Sequence, residues 1–311
     1  MIKKLPAYFH LSQEVTVAIR QNQPIVALET AVLTHGLPYP QNIQLSQSLE
    51  QEVRQQGAIP ATIGILNGKV HVGLTSSELE ELGDTSKPSR KISRRDFGIA
   101  LARQERGGTT VAGTLICAYT VGIRVFATGG IGGVHRNAPF DVSADLPELS
   151  RNPLIVVCAG AKAILDVPAT IEYLETMGIP VIGYQTDEFP AFYSRESGLP
   201  VSVTVQTPKE VVQIAKAHWE IGLQSAVLVV VPPPSDVALP PKEIEDIIEQ
   251  ANREAYEQHI TGAAVTPFLL ARVSELSGGS SLRANLALLR NNARIAAQIA
   301  RAMSPAKSVE I

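Results

Sequence analysis

The sequence has few cysteines and few charges. Only Cys117 and Cys158 occur among 311 residues, without CxxC spacing or histidine-rich surroundings, so a disulfide framework is excluded and buried, reduced thiols are predicted rather than a zinc site. Charged residues make up 18%, the net charge is −3 and the basic residues are scattered. A protein that binds nucleic acid or an anionic membrane carries a clustered positive surface, which is missing here. We therefore expect a small-molecule partner.

Long apolar runs and a secretory signal are also missing. No unbroken apolar stretch approaches the ~20 residues of a membrane helix, and the two lysines in the opening MIKKLPAYFHLSQEV are not followed by an apolar segment. A cytoplasmic protein is expected. Apolar residues nevertheless reach 45%, too many for a disordered chain. Because no Pro/Gly/Ser-rich linker divides the sequence, we predict one domain over residues 1–311.

Short β-branched runs that alternate with helical patterns indicate an α/β fold. The runs lie at 24–32, 61–74, 123–128, 154–160, 180–185 and 225–234. Most are apolar throughout rather than alternating, which is typical of strands buried on both faces of a parallel sheet. Helical patterns at 42–57 and 207–222, and three more beyond residue 240, complete the pattern. We predict a three-layer α/β/α fold with a mostly parallel central sheet and a helical C-terminal region.

Asn67-Gly68, between two short β-branched segments, predicts a small antiparallel hairpin within this otherwise parallel arrangement.

Ligands of open α/β sheets collect at the carboxyl ends of the strands, so polar residues there are candidates for a site. Glu29 lies within the first apolar run, where burial would raise its pKa and suit a general acid; the alternative is a glutamate paired with an arginine. The glycine-rich TGGIGGVHR (128–136) lets backbone amides approach an anion. GGTTVAGTL (107–115) leads threonines into a helix start, which predicts a phosphate site.

The stretch LIVVCAGAKAILD (154–166) places Lys162 directly after an apolar strand. A lysine near apolar walls and a second cation such as Lys91 loses its proton more easily, and the neutral amine attacks carbonyl carbons or electron-poor alkenes. The alternative is a phosphate-binding lysine that never becomes covalent. DVSADL (141–146) offers oxygen ligands for Mg²⁺ or Mn²⁺, or helix caps. His135 is a ligand, a proton shuttle or a polar loop residue.

Several long blocks together resemble one known family. They are ETAVLTHGLPYPQN (29–42), ATIGILNGKVHVGL (61–74), KISRRD (91–96), GGTTVAGT (107–114), FATGGIGGVHR (126–136), DVSADL (141–146), VVCAGAKAILD (156–166) and YLETMGIPVIGYQTDEFPAFY (173–193). The sequence resembles the pseudouridine-5′-phosphate glycosidase family, also called indigoidine synthase A-like, over nearly its whole length. The resemblance implies reversible cleavage of the carbon–carbon glycosidic bond of pseudouridine 5′-phosphate to uracil and ribose 5-phosphate, with a divalent metal, usually Mn²⁺.

The resemblance also implies roles for individual residues. By resemblance, Lys162 stands at the position of the family's nucleophile, which forms a covalent ribose adduct. Glu29 stands at the position of the proton donor, and Asp141 at that of a metal ligand. The residues similar to substrate-binding positions are Lys91, Thr110, Val111 through its backbone, His135, Ser143, Ala144, Asp145 and Asn285. An α/β/α homotrimer is implied as well.

One loop departs from the family pattern. HRNAPFDVSADL has Asn137 where the family has glycine, and the loop is shorter, so the resemblance leaves the metal geometry and the range of substrates open. Two alternatives of other classes also remain. One is a Schiff-base lyase or aldolase acting on another sugar phosphate, and the other is a non-catalytic sugar-phosphate sensor.

Overall fold

The computed structural model describes residues 5–136, 138–260 and 265–304. Its strands are β1 (Phe9–Leu11), β2 (Ile25–Leu28), β3 (Ile59–Leu66), β4 (Lys69–Val72), β5 (Arg90–Ile92), β6 (Gly107–Thr109), β7 (Val125–Ala127), β8 (Val134–His135), β9 (Ala138–Val142), β10 (Ile155–Cys158), β11 (Leu165–Asp166), β12 (Val181–Tyr184), β13 (Val203–Val205) and β14 (Val227–Val230). Its helices are α1 (Gln13–Arg20), α2 (Ala31–His35), α3 (Gln41–Gln55), α4 (Ser76–Gly83), α5 (Phe97–Ala102), α6 (Val111–Thr120), α7 (Asp145–Leu149), α8 (Val167–Thr176), α9 (Pro208–Glu220), α10 (Pro241–Glu257), α11 (Val265–Leu276) and α12 (Ser280–Met303).

The central sheet is mostly parallel, as predicted. Its strands follow the order β1-β4-β3-β2-β7-β10-β14-β12-β13, and β6 joins β3 and β5 at one side. Among the described strands of this sheet, only β3 pairs in antiparallel fashion, with β4 and with β6. The β3–β4 hairpin turns at Asn67 and Gly68, whose φ angles of 49° and 68° are those of a type I′ turn. A second, small antiparallel sheet has the order β11-β8-β9.

Helices cover the central strands on both faces. Every residue of β2, β10, β12 and β14 is buried, because strands with a helix layer on each side have no face left for water. The long helix α12 packs on β2, β7 and β10 and also against α3 and α9. The last helix of the C-terminal region therefore packs directly on the sheet. None of the helices in the described ranges is both long and apolar enough to cross a bilayer.

Local sequence explains where several of these elements begin and end. Thr207 caps α9 by accepting a hydrogen bond from the backbone amide of Glu210, and Pro208 occupies the first helical position. Gly57, with a φ of 76°, follows the end of α3. The two thiols, Cys117 and Cys158, are buried and free, as predicted.

The first apolar run was predicted as one strand over 24–32, and this is wrong at its C-terminal end. Strand β2 stops at Leu28, and helix α2 begins at Ala31. Thr30 turns the chain, because its buried hydroxyl donates to the carbonyl of Ile63 on β3 (2.6 Å). Glu29 therefore lies just beyond the strand rather than inside it. This position brings its carboxylate to the carboxyl edge of the sheet.

Candidate active site

A pocket of about 330 Å³ lies beyond the carboxyl ends of β2, β7 and β10. Four of the predicted site residues line it, namely Glu29, Lys91, Lys162 and Asn285. Its volume is at the lower end of the roughly 300–1,000 Å³ typical of small-molecule sites. The topology thus brings a carboxylate, two lysines and an amide together at the edge where α/β sheets bind ligands.

Glu29 is held by a threonine rather than by an arginine. The hydroxyl of Thr128, at the end of the neighbouring strand β7, donates to Oε1 of Glu29. Burial raises the pKa of Glu29 above its ordinary value, and this effect outweighs the opposing charges of Lys162 and Lys91. The arginine-paired alternative is therefore wrong, and the geometry fits a carboxyl group that keeps its proton closer to neutral pH.

Lys162 follows β10 on a turn that requires glycine. Gly160 has a φ of 87°, and a Cβ atom there would lie 2.3 Å from the carbonyl oxygen of Pro190. After this turn the amide of Lys162 donates to the carbonyl of Ile131 (3.0 Å). Arg136 fixes the next residues, since its guanidinium donates to the carbonyls of Ala163 (3.0 Å) and Leu165 (3.1 Å). Hydrogen bonds at Lys162 itself and at the residues that follow it thus fix the backbone that carries this side chain.

Lys91 stands beside the helix start that was predicted as a phosphate site. Burial lowers the pKa of Lys91, and the nearby positive charge of Lys162 lowers it further. Strand β5 pairs with β6, so Lys91 lies next to the segment that leads into α6. The amide of Gly113 is bound by the hydroxyl of Thr110 (3.2 Å), and the amide of Ala112 is bound by a carboxylate (2.8 Å). Val111 is the first residue of α6, and the first amides of a helix have no partner within the helix, so they are the groups that bind an anion.

The carboxylate that binds the amide of Ala112 belongs to Asp145, which is almost fully buried. Its Oδ1 accepts from the amide of Ala112 and its Oδ2 from the amide of Gly132, both at 2.8 Å. Asp145 therefore joins the start of α6 to the glycine-rich turn, and it neither caps α7 nor lines the pocket. Its charge still reaches the site, because it raises the pKa values of Glu29 and Lys91. Ser143 accepts a hydrogen bond from the Asp145 amide (3.2 Å), and Ala144 is exposed beside it.

His135 and Asp141 lie on the small antiparallel sheet, in β8 and β9, and neither lines the pocket. Asp141 is exposed.

Among residues 5–136, 138–260 and 265–304, no group of three or more His, Cys, Asp and Glu side chains could enclose a metal ion. A metal site coordinated entirely by side chains therefore does not fit these residues. A hydrated divalent cation bound to the single carboxylate of Asp141 does fit, since Mg²⁺ keeps several waters in proteins. Asn137, the site of the predicted loop departure, lies outside the described residues.

Two further parts of the wall follow predicted strands, namely His35 on α2 and residues 128–130 of the glycine-rich stretch. The remainder, from Phe192 and Tyr193 and from the facing surfaces of α11 and α12, was not predicted. The apolar residues of α11 and α12 look like ordinary core positions in the sequence, so no local signal marks them. Phe192 has a φ of 62°, unusual for an aromatic residue, and its ring lies 2.7 Å from where a Cβ on Gly130 would stand.

His35 contributes a hydrogen-bonded imidazole to the pocket wall. Its Nε2 donates to the carbonyl of Ser89 (3.1 Å), and its Nδ1 lies 2.7 Å from the hydroxyl of Thr34. Burial lowers the pKa of His35. Since a carbonyl can only accept, the proton of the neutral ring is on Nε2. The ring is therefore a neutral wall beside Lys91 rather than a free base.

Comparison with known proteins adds the family to this geometry. Residues 14–302 match the family described as indigoidine synthase A-like protein. The chain belongs to this family. It is 54% identical over 295 residues to the pseudouridine-5′-phosphate glycosidase of Geobacillus kaustophilus, an alignment that covers 94% of this chain and 98% of the relative. It is 50% identical over 303 residues to the protein of the same name from Paracoccus denitrificans, covering 96% and 100%.

Two solved structures of similar proteins share the fold. A crystal structure of an indigoidine synthase A-like protein from Thermotoga maritima aligns with a TM-score of 0.86 at 38% identity, covering 94% of this chain and 95% of that one. The prealnumycin C-glycosynthase AlnA, solved in complex with ribulose 5-phosphate, aligns with a TM-score of 0.88 at 39% identity, covering 96% and 97%. At this identity over nearly full length, the predicted family and fold are confirmed.

Proposed function

We propose that this protein reversibly cleaves the carbon–carbon glycosidic bond of pseudouridine 5′-phosphate, giving uracil and ribose 5-phosphate. The observation that carries the proposal is one pocket that holds Lys162, Glu29 and Lys91 in a chain 54% identical to a pseudouridine-5′-phosphate glycosidase. An ordinary glycosidase protonates a heteroatom leaving group and stabilises an oxocarbenium ion with two carboxylates. Uracil attached through carbon offers no such atom, so a different use of the side chains is needed.

Lys162 supplies the nucleophile. Its neutral amine bonds to C1′ while the bond from C1′ to the ring oxygen breaks, and that oxygen takes a proton. The ribose is then an open chain attached to nitrogen. The turn at Gly160 and the Arg136 hydrogen bonds support this role, because a nucleophile with a fixed position lowers the entropy cost of reaching the transition state.

Glu29 supplies the proton that makes uracil leave. It protonates C5 of the base, the electron pair of the C1′–C5 bond stays with uracil, and the lone pair of the lysine nitrogen forms a C=N bond at C1′. Water then adds at C1′ and releases ribose 5-phosphate, which restores Lys162. The raised pKa of Glu29 supports the assignment, since a general acid must hold its proton near working pH.

Lys91 and the start of α6 form the proposed phosphate site. Lys91 provides a positive charge and Val111 the first backbone amide of a helix, and both groups bind a phosphate oxygen well. Thr110, Ser143, Ala144 and Asp145 shape the same segment, and His135 and Asn285 remain predicted substrate contacts. Mn²⁺ or Mg²⁺ at Asp141 is part of the proposal, and it would supply a counter-charge. A homotrimer and a cytoplasmic location are likewise proposed from the family resemblance.

Turnover of pseudouridine 5′-phosphate tests the proposal. The protein is incubated with this compound and Mn²⁺, and uracil and ribose 5-phosphate are quantified by chromatography. Equal amounts of both products are expected, with loss of activity in Lys162→Ala. An aldolase would shorten the sugar and release no base, and a sensor would bind without any product. Either of these results would overturn the glycosidase proposal.

A further inference from the structure

Glu29 and Thr128 leave the sheet side by side. In the parallel pairing of β2 with β7, Leu28 stands opposite Ala127, so the next residue on each strand is Glu29 on one and Thr128 on the other. Both line the pocket. The hydroxyl of Thr128 donates to Oε1 of Glu29. The neighbouring strand thus supplies a hydrogen bond to the proposed proton donor.

Two hydrogen bonds hold the backbone of Thr128 in place. Its amide donates to the carbonyl of Val157 on β10 (3.0 Å), and its carbonyl accepts from Nδ2 of Asn292 on α12 (2.9 Å). Thr128 is 2% exposed and Asn292 is fully buried. A β-branched side chain on so constrained a backbone has little rotamer freedom. The hydroxyl therefore points in a fixed direction, as preorganised groups of active sites do.

We infer that Thr128 is a positioning residue that holds Glu29 in the orientation for protonating C5 of the base. The inference rests on the proposed function. The charged groups that act on Glu29 are Lys162, Lys91 and Asp145. Without the hydroxyl, the carboxyl group of Glu29 would lose this fixed orientation, and its proton would no longer be directed at C5 of the base.

The hydrogen bond also affects protonation. It lowers the pKa of Glu29, against the larger opposite effect of burial. Its removal therefore raises the pKa of Glu29, and the acid form persists to higher pH. In the cleavage direction, the decline of activity with rising pH reports this ionisation, so that decline should move to higher pH.

Thr128→Val removes the hydroxyl and keeps the shape, whereas Thr128→Ser keeps the hydroxyl. We expect uracil release by Thr128→Val to fall about tenfold or more, given the roughly 10²–10⁴-fold that general acid catalysis contributes. The imine that Lys162 forms with added ribose 5-phosphate, reduced with borohydride, should stay near the wild-type level because its formation involves no proton transfer to C5. Thr128→Ser should restore most of the rate. Thr120→Val, on the far end of α6, is the control for a threonine-to-valine change elsewhere.

Three results would overturn the inference. They are a wild-type rate and pH profile in Thr128→Val, a parallel loss of uracil release and of the imine formed with ribose 5-phosphate, or no rescue by serine. If the valine variant does not fold, as judged by circular dichroism, Thr128→Ala removes the same hydroxyl without adding an apolar branch. Absence of uracil release by the wild-type protein would instead reject the proposed function itself.

Discussion

Replacement of Asp145 by asparagine tests how the site is held together. The carboxylate is 6% exposed and accepts two amide hydrogen bonds of 2.8 Å, one from the start of α6 and one from the glycine-rich turn. Asparagine has the same shape but only one oxygen, so one amide would face an NH₂ group. Loss of a hydrogen bond to a charged group costs about 1.5–3 kcal/mol, and a buried amide without a partner adds to this. We expect a loss of about 3 kcal/mol in the free energy of unfolding.

Equilibrium urea unfolding measures this loss, with Asp141→Asn as the matched control. Asp141 is exposed on β9 four positions earlier in the chain, so its replacement should change stability by less than about 0.5 kcal/mol when no divalent cation is present. The pH profile provides a second readout. Asp145 raises the pKa of Glu29, so its neutralisation lowers that pKa and moves the loss of activity to lower pH. A stability change no larger than that of the control would refute the bridging role.

Three further predictions concern the backbone and the thiols. Gly160→Ala should lower the free energy of unfolding by more than about 2 kcal/mol, because the new Cβ would lie 2.3 Å from a carbonyl oxygen. Gly178→Ala, at a φ of 65° in open space, should lower it by about 1 kcal/mol, and thermal unfolding compares the two variants. Arg136→Lys should slow formation of the borohydride-trapped adduct about tenfold, since lysine cannot bond to both carbonyls that follow the nucleophile. An unchanged trapping rate would contradict this. Cys117 and Cys158, buried with raised pKa values, should react with a thiol reagent only after denaturant is added, and reaction in the native protein would be the contrary result.

The elements that the sequence predicted are those with strong local signals. The apolar runs at 123–128, 154–160, 180–185 and 225–234 all contain strands, the Asn67-Gly68 hairpin turns as expected, and the helices after residue 240 form. Strands buried between two helix layers must be apolar, and a type I′ turn needs residues that accept positive φ. These requirements act over a few residues, so they can be recognised in the sequence.

Other features depend on contacts between distant parts of the chain. Strands β5, β6 and β8 have two or three residues each and form because a partner strand is present, so no periodicity marks them. The end of β2 at Leu28 depends on a hydroxyl bond from Thr30 to a carbonyl on β3. Asp145 stays a predicted substrate-binding position, but the bridge that its oxygens form between the amides of Ala112 and Gly132 has no local signal in the sequence. Such assignments need the fold before they can be made.

The Lys162 adduct is the most direct test of the account. The protein is mixed with pseudouridine 5′-phosphate, reduced with borohydride and digested, and the peptides are analysed by mass spectrometry. A covalent mechanism predicts a ribose 5-phosphate-derived adduct on Lys162 that is lost together with uracil release in Lys162→Ala. Uracil release without any adduct on Lys162 would contradict the covalent mechanism and leave this lysine as a phosphate-binding group.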